Sequence, residues 1–169
     1  MKTSYFAGGC YWCLEAIFRR VIGVNEVISG IALPEPEKGK KEPSAEAVKI
    51  IYNDEIVDFE TLVSIFFSVH DPTTPNRQGN DIGPEYRSIV FYSDETERKV
   101  IERTVEYLME EKIFEKPIVT EIRKLQTFSK APEHHQRYYE KNASNSYCTM
   151  VIYPKIAKFR EKFAHLYSK

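Results

Sequence analysis

The sequence predicts one α/β (α+β) domain, a mixed sheet with helices packed mainly on one face. Three observations carry that prediction. Short apolar segments with strand-like alternation recur along the chain, stretches of helical periodicity separate them, and the connections differ in length. A chain of 169 residues suits a single catalytic domain spanning 1–169, burying roughly 70% of its unfolded surface. Its 42% hydrophobic and 13% aromatic content supplies a core without disorder.

Lys2 to Ala7 reads as a short strand, and Gly8-Gly9 ends it with backbone that other residues resist. From Tyr11 the pattern is helical, with Trp12, Ala16 and Ile17 beside Leu14, Phe18 and Val21, until Gly23 can stop it. Asn25 to Leu33 reads as a second strand, Pro34 to Pro43 as a solvated connector, and Ser44 to Tyr52 as a third strand. Asp58 caps a helix running to about Val69, with Leu62, Ile65, Phe66 and Val69 on its apolar face. His70 then favours the helix's C-terminal dipole.

His70 to Tyr86 has no usable periodicity, and a loop this long in a compact domain tends to be functional. Arg87 to Tyr92 reads as a strand. Asp94 with Glu97 resembles a capping box that opens a helix to about Lys112. Pro117 to Leu125 reads as one further strand, Glu133 to Lys141 as a short helix, and Pro154 to Tyr167 as a helical tail.

The net charge of −1 gives no electrostatic case for nucleic acid. No apolar run approaches the roughly 20 residues of a membrane span, so no membrane partner is expected. Three cysteines, an odd number without a secretory signal, argue for working thiols in a reducing cytoplasm and against a disulfide framework.

The candidate chemistry begins at Cys10, delivered to a helix start where free N–H groups and the dipole favour an anion. A thiol there is expected to ionise readily, and the thiolate is the reactive form. Cys13 lies one turn on, in reach of a disulfide. Tyr11 and Trp12 between them serve either as core or as an apolar wall for a methyl-bearing substrate. Glu46 shares a strand face with Val48, Ile50 and Tyr52, so desolvation would raise its pKa and make it a proton donor. The alternatives are a solvated Glu46, or one paired with Lys49 or Arg87. In the long loop, turn chemistry accounts for Gly79, Asn80 and Gly83 better than for Asp81 and Tyr86. A Tyr86 hydroxyl could donate to a substrate oxygen.

Gly9-Cys10-Tyr11-Trp12, Ala45-Glu46-Ala47-Val48, and His70-Asp71-Pro72 through Arg77-Gln78-Gly79-Asn80-Asp81 to Tyr86-Arg87-Ser88 together resemble the A-class peptide methionine sulfoxide reductases. The resemblance continues through His135-Gln136 and Lys141-Asn142 to Tyr147-Cys148, covering nearly the whole chain in order. It implies a two-layer sandwich with a ferredoxin-like β-α-β-β-α-β core. It implies reduction of the S-epimer of methionine sulfoxide, free or in oxidised proteins, with no bound cofactor and with thioredoxin or a similar dithiol as electron donor. By motif, Cys10 would be the nucleophile and Glu46 the acid. Tyr86 would bond the sulfoxide oxygen, Asp81 would hold the polar network, and Tyr11 and Trp12 would embrace the methyl group. Cys13 or Cys148 would resolve the resulting sulfenic acid.

The chain departs from the family pattern in four places. Cys13 stands where glycine is usual. The glycine- and tyrosine-rich loop after the second strand is replaced by Pro34 to Pro43, leaving no tyrosine between Tyr11 and Tyr52, so a second tyrosine donor is expected to be missing. Pro43-Ser44 replaces a usual Gly-His, and Cys148 runs into a helix-forming tail. Two other readings compete: a general C-x-x-C thiol–disulfide oxidoreductase indifferent to Glu46, and a non-catalytic binding domain holding zinc through Cys10, Cys13, Cys148 and His134 or His135.

Overall fold

Alternating apolar residues put Phe6 and Ala7 on β1 (Lys2–Ala7), Val27 and Ala32 on β2 (Val24–Pro34), and Val48, Ile50 and Tyr52 on β3 (Ala45–Tyr52) into buried positions. A computed structural model of the protein describes residues 1–168. Between and after these strands come α1 (Tyr11–Phe18), α2 (Phe59–Val69), the two-residue strands β4 (Arg77–Gln78) and β5 (Asp81–Ile82), and β6 (Ile89–Phe91). Then follow α3 (Glu95–Glu110), β7 (Glu121–Arg123), β8 (Leu125–Lys130), α4 (Tyr138–Asn142) and α5 (Tyr153–Lys162).

The main sheet runs β7-β6-β1-β3-β2-β8, with β6 and β7 parallel and every other pair antiparallel. Its middle four strands, with α1 and α2, form the expected ferredoxin-like β-α-β-β-α-β core. Strands β7 and β8 extend the two edges. Only Lys124 separates these edge strands in sequence, and so short a link spans at most about 7 Å. The sheet therefore curls until its edges approach. Its inner face is lined by Ala7, Ala32, Ala45 and Ala47 with Ile89 and Phe91, closed by Tyr5, Leu125 and Phe128. On the outer face Phe6, Val48 and Ile50 pack with Leu14 and Ile17 of α1, Leu62 and Phe66 of α2, and Ile156 and Phe159 of α5. Each large apolar side chain so buried contributes roughly 1.5–3 kcal/mol.

Helix capping follows the sequence closely. The Thr61 N–H donates to Asp58 Oδ1 at 2.9 Å and the Glu97 N–H to Asp94 Oδ1 at 2.8 Å. Glu97 reciprocates one residue early, taking the Ser93 N–H at 2.9 Å. Other boundaries differ from expectation. Helix α1 stops at Phe18 rather than Gly23, because Val21 is drawn into a bridge with Tyr167. The single strand expected over Pro117 to Leu125 is two, since the chain crosses from one sheet edge to the other at Lys124. The expected helix from Glu133 is a 3-10 turn (Glu133–His135) and α4, broken where Arg137 adopts a left-handed conformation (φ 53°). The tail helix starts at Tyr153 and stops at Lys162, preceded by one wide π turn over Cys148–Ile152.

His70 also behaves otherwise than expected. It is buried and neutral: Nδ1–H donates to the Phe66 carbonyl at 2.6 Å and Nε2 accepts from Ser88 Oγ at 2.8 Å. Burial lowers its pKa to about 3.

Two predictions follow from this packing. A Cβ on Gly30 would collide with the Phe128 ring and the Ser129 carbonyl of β8, and backbone cannot yield. Gly30→Ala is therefore expected to cost about 2 kcal/mol, read by thermal or urea unfolding. For His70, the unfolded state binds a proton that the folded state refuses between about pH 6.5 and 3, so its contribution is complete above that window and lost on acidification. The stability gap between wild type and His70→Gln should narrow by about 1 kcal/mol per pH unit below 6.5. A gap independent of pH would contradict the neutral assignment.

Candidate active site

The site forms where β1 hands over to α1. Gly9 turns the chain at φ 89°, with its hydrogen-only face against Gln78, while Gly8 lies against the rings of Phe66 and His70. Cys10 follows in extended conformation and caps α1, its carbonyl taking the Cys13 N–H at 3.1 Å. The next amide, that of Tyr11, donates to Glu46 Oε1 at 3.1 Å. Glu46 thus reaches across from β3 to the first turn of α1. It pairs with neither Lys49 nor Arg87.

Arg87 is occupied elsewhere. Its guanidinium donates to the carbonyls of Pro84 (2.9 Å), Pro43 (2.8 Å) and Ser44 (3.3 Å), and its Nε to Glu121 Oε2 (2.8 Å). One side chain thereby holds the 3-10 turn Pro84–Tyr86 beside the start of β3, placing Tyr86 near Glu46. The Gly9 N–H donates to the Tyr86 carbonyl at 3.1 Å, tying that turn to the helix start. The far side of the connector expected over Pro34 to Pro43 is fastened by Arg123, bonded to the Glu35 carbonyl and Glu42.

Asp81 enters on the small β4–β5 hairpin, where Gln78 locks the preceding segment through two bonds of 2.9 Å to the Asp71 backbone. The Tyr147 hydroxyl donates to Asp81 Oδ2 at 2.8 Å and lies 3.7 Å from Cys13 Sγ. With its single proton given to Asp81, that hydroxyl accepts from the Cys13 thiol. Tyr147 is the site residue the sequence reading did not single out. The second tyrosine expected to be missing from the loop comes instead from the far end of the chain, beside Cys148, and the Tyr147-Cys148 pair was its one signal.

Tyr11 and Trp12 stand between the thiols, Tyr11 buried and Trp12 partly so. The Tyr138 ring lies flat on the Trp12 indole, 3.6 Å between centroids at 5°, and Tyr147 meets it edge-on at 5.8 Å. One indole face is therefore already covered. Cys10, Cys13 and Cys148 are free thiols, at 9%, 1% and 0% exposure. Cys148 opens the π turn, its N–H held by Asn145 Oδ1 at 2.8 Å.

Electrostatics overturn one expectation. Cys10 does not ionise readily: burial, then Cys13 and Glu46, push its pKa up, and the Trp12 N–H and the Tyr147 hydroxyl offset this only in part. Burial likewise raises Cys13, with Lys155 the largest opposing influence. Glu46 is raised as expected, by burial first, with the Tyr11 N–H pulling it back and Asp81 and Glu85 adding to the rise. Tyr86 is raised by burial and then by Glu46, Asp81 and Cys10, and Tyr147 by burial and then by Cys13 and Cys10. Each of these groups is shifted toward its protonated form.

Among the described residues, no group of three or more His, Cys, Asp or Glu is placed to hold a metal ion, so the zinc set proposed from sequence is not assembled. His134 and His135 instead stack on one another, with His135 against Tyr11 and Trp12. No helix among those residues is long and apolar enough to cross a membrane.

Comparison with known proteins agrees with this geometry. The family model for peptide methionine sulfoxide reductase matches residues 2–167. The chain is 43% identical to the peptide methionine sulfoxide reductase MsrA of Chromobacterium violaceum, over 98% of both chains. Among solved structures it resembles reduced Mxr1 from Saccharomyces cerevisiae, with a TM-score of 0.74 and 30% identity over 87% of this chain and 88% of that one. It also resembles Mxr1 in complex with Trx2, with a TM-score of 0.59 and 25% identity over 81% and 84%. A thiol pair beside a protonatable carboxylate, on this fold and with these relatives, has one reading: the chain belongs to the peptide methionine sulfoxide reductase family and is a thiol-dependent methionine sulfoxide reductase.

Proposed function

We propose that the enzyme reduces the S-epimer of methionine sulfoxide, free and in oxidised proteins, with Cys10 as nucleophile and Glu46 as acid. The observation that carries this is the Tyr11 N–H bond to Glu46 Oε1, which fixes the carboxyl at the helix turn that presents Cys10. A sulfoxide oxygen leaves sulfur only once protonated, so a nucleophilic sulfur and an acid must meet at one substrate atom. Cys10 sulfur attacks the sulfoxide sulfur while the thiol proton passes through Glu46 to the oxygen. The oxygen transfers to Cys10, leaving methionine and a sulfenic acid. Tyr86 bonds the oxygen, and Tyr147, oriented by Asp81, supplies the second hydroxyl. Tyr11 and Trp12 receive the methyl group.

Cys13 then attacks the sulfenic acid, releasing water and forming a Cys10–Cys13 disulfide, and Cys148 attacks that disulfide in a second exchange. The one-turn spacing of the C-x-x-C pair supports this order, as does the full burial of Cys148. Thioredoxin or a similar dithiol returns the electrons. The Trx2 complex of the related yeast protein supports that donor. Three buried free thiols suit a reducing compartment such as the cytoplasm.

The test is reduction of separated sulfoxide epimers, driven by dithiothreitol or by thioredoxin. Cys10→Ser should abolish turnover with either donor, whereas Cys13→Ser should keep dithiothreitol turnover and lose the thioredoxin-driven reaction. Glu46→Gln should lose about 10²- to 10³-fold in kcat/KM. Undiminished activity in Glu46→Gln would remove the acid and favour the general oxidoreductase reading. Tyr147→Phe should lose about tenfold, with the loss in kcat if its hydroxyl meets the oxygen in the transition state.

A further inference from the structure

Glu15 is 1% exposed and takes no part in the chemistry above. It lies three residues after Trp12 on α1, so the two share a helix face. Its Oε2 accepts the Arg137 N–H at 2.8 Å. Arg137 is in the left-handed region (φ 53°, ψ 39°), which costs a residue with a Cβ about 1–2 kcal/mol and needs an opposing interaction to hold it. The residue before it is anchored to the sheet: Gln136 takes the Ser29 N–H at 3.0 Å and donates to the Ser29 and Ala131 carbonyls at 2.8 and 3.0 Å. The residue after it is Tyr138, whose ring lies on Trp12. Between a fixed Gln136 and a stacked Tyr138, the turn at Arg137 decides where the aromatic plate lands, and Glu15 holds that turn.

Resting on the reading of Trp12 as a wall of the methyl pocket, we propose that Glu15 is a positioning residue that docks Tyr138 against Trp12 and so sets the width of the substrate pocket. The charged groups around it fit this role. Burial raises Glu15 to about 7, the Arg137 and Tyr138 N–H groups and Arg19 oppose the rise, and Glu140 adds to it. Glu140 is itself paired with Arg20, two residues past the end of α1, at 2.9 Å, a second tie to α4. An ionised carboxylate is the stronger acceptor, so the clasp tightens as pH rises through this range.

Trp12 is the only tryptophan in the chain, so intrinsic fluorescence reads the stack without any turnover. Glu15→Ala should reproduce the emission change of Tyr138→Leu and raise KM for the S-sulfoxide about tenfold, with kcat within about twofold. Glu15→Gln, which keeps an acceptor of the same length, should restore wild-type emission at pH 8. It should also lack the shift that wild type shows on crossing pH 7, while burial, and then the charge of His134, lower the His135 pKa. Wild-type emission in Glu15→Ala beside altered emission in Tyr138→Leu overturns the proposal. So does a Glu15→Gln titration identical to wild type, a readout that holds if Glu15→Ala does not fold. Failure of the S-epimer reading would show separately, as wild type inactive on that epimer with the emission results unchanged.

Discussion

The bond from the Tyr11 N–H to Glu46 Oε1 is the interaction on which the rest of the site depends. The first amides of a helix have no partner within it, and a partly buried carboxylate on an apolar strand face keeps little of its hydration. Each group meets the other's need, and in doing so the bond locks α1 to the central strand β3. The neighbouring features then read as conditions for making it. Gly8 and Gly9 let the chain pass between Phe66, His70 and Gln78, and Arg87 fixes the start of β3 and the turn of Tyr86 to the same frame.

Burial, and not the helix dipole, sets the protonation of this site. A helix N-terminus stabilises an anion by about 0.3–1 kcal/mol, less than one pKa unit, whereas desolvation of a thiol can outweigh that several-fold. No cation offsets it at Cys10, where the two charged neighbours that count, Cys13 and Glu46, are both acidic. The arrangement suits a neutral substrate. On the proposed mechanism the thiol proton travels to the sulfoxide oxygen by way of Glu46, so no net charge is created in a dry pocket.

The sequence exposed the parts governed by local rules. Strand alternation placed β1, β2 and β3 nearly to the residue, Asp58 and Asp94 announced their helices, and the face shared by Glu46, Val48 and Ile50 is the one that meets α1. What it hid is set by contacts distant in sequence. Strand β8 has only Leu125 and Phe128 as apolar residues, and nothing local shows that the sheet curls enough for one residue to carry the chain between its edges. The early end of α1 depends on Tyr167, and the neutral state of His70 on Ser88. Tyr147 escaped for the same reason: its role comes from Asp81, 66 positions earlier.

The placement of Tyr147 also bears on the order of thiol exchange. Its hydroxyl bonds Asp81 and receives the Cys13 thiol, and its neighbour in sequence is Cys148. Any movement that carries Cys148 to Cys10 must therefore pull Tyr147 off Asp81 and take apart the pocket that had just bound the substrate. On the proposed order resolution by Cys13 needs no such movement, because Cys10 caps α1 and Cys13 lies in its first turn. That disulfide removes the Cys13 S–H donor, leaving Tyr147 held only through Asp81 and its edge contact with Trp12. On the proposed order the segment carrying Cys148 is loosened after the first exchange and not before it. In that proposed order Cys13 is more than an extra thiol, since it separates the step that needs the pocket intact from the step that must open it.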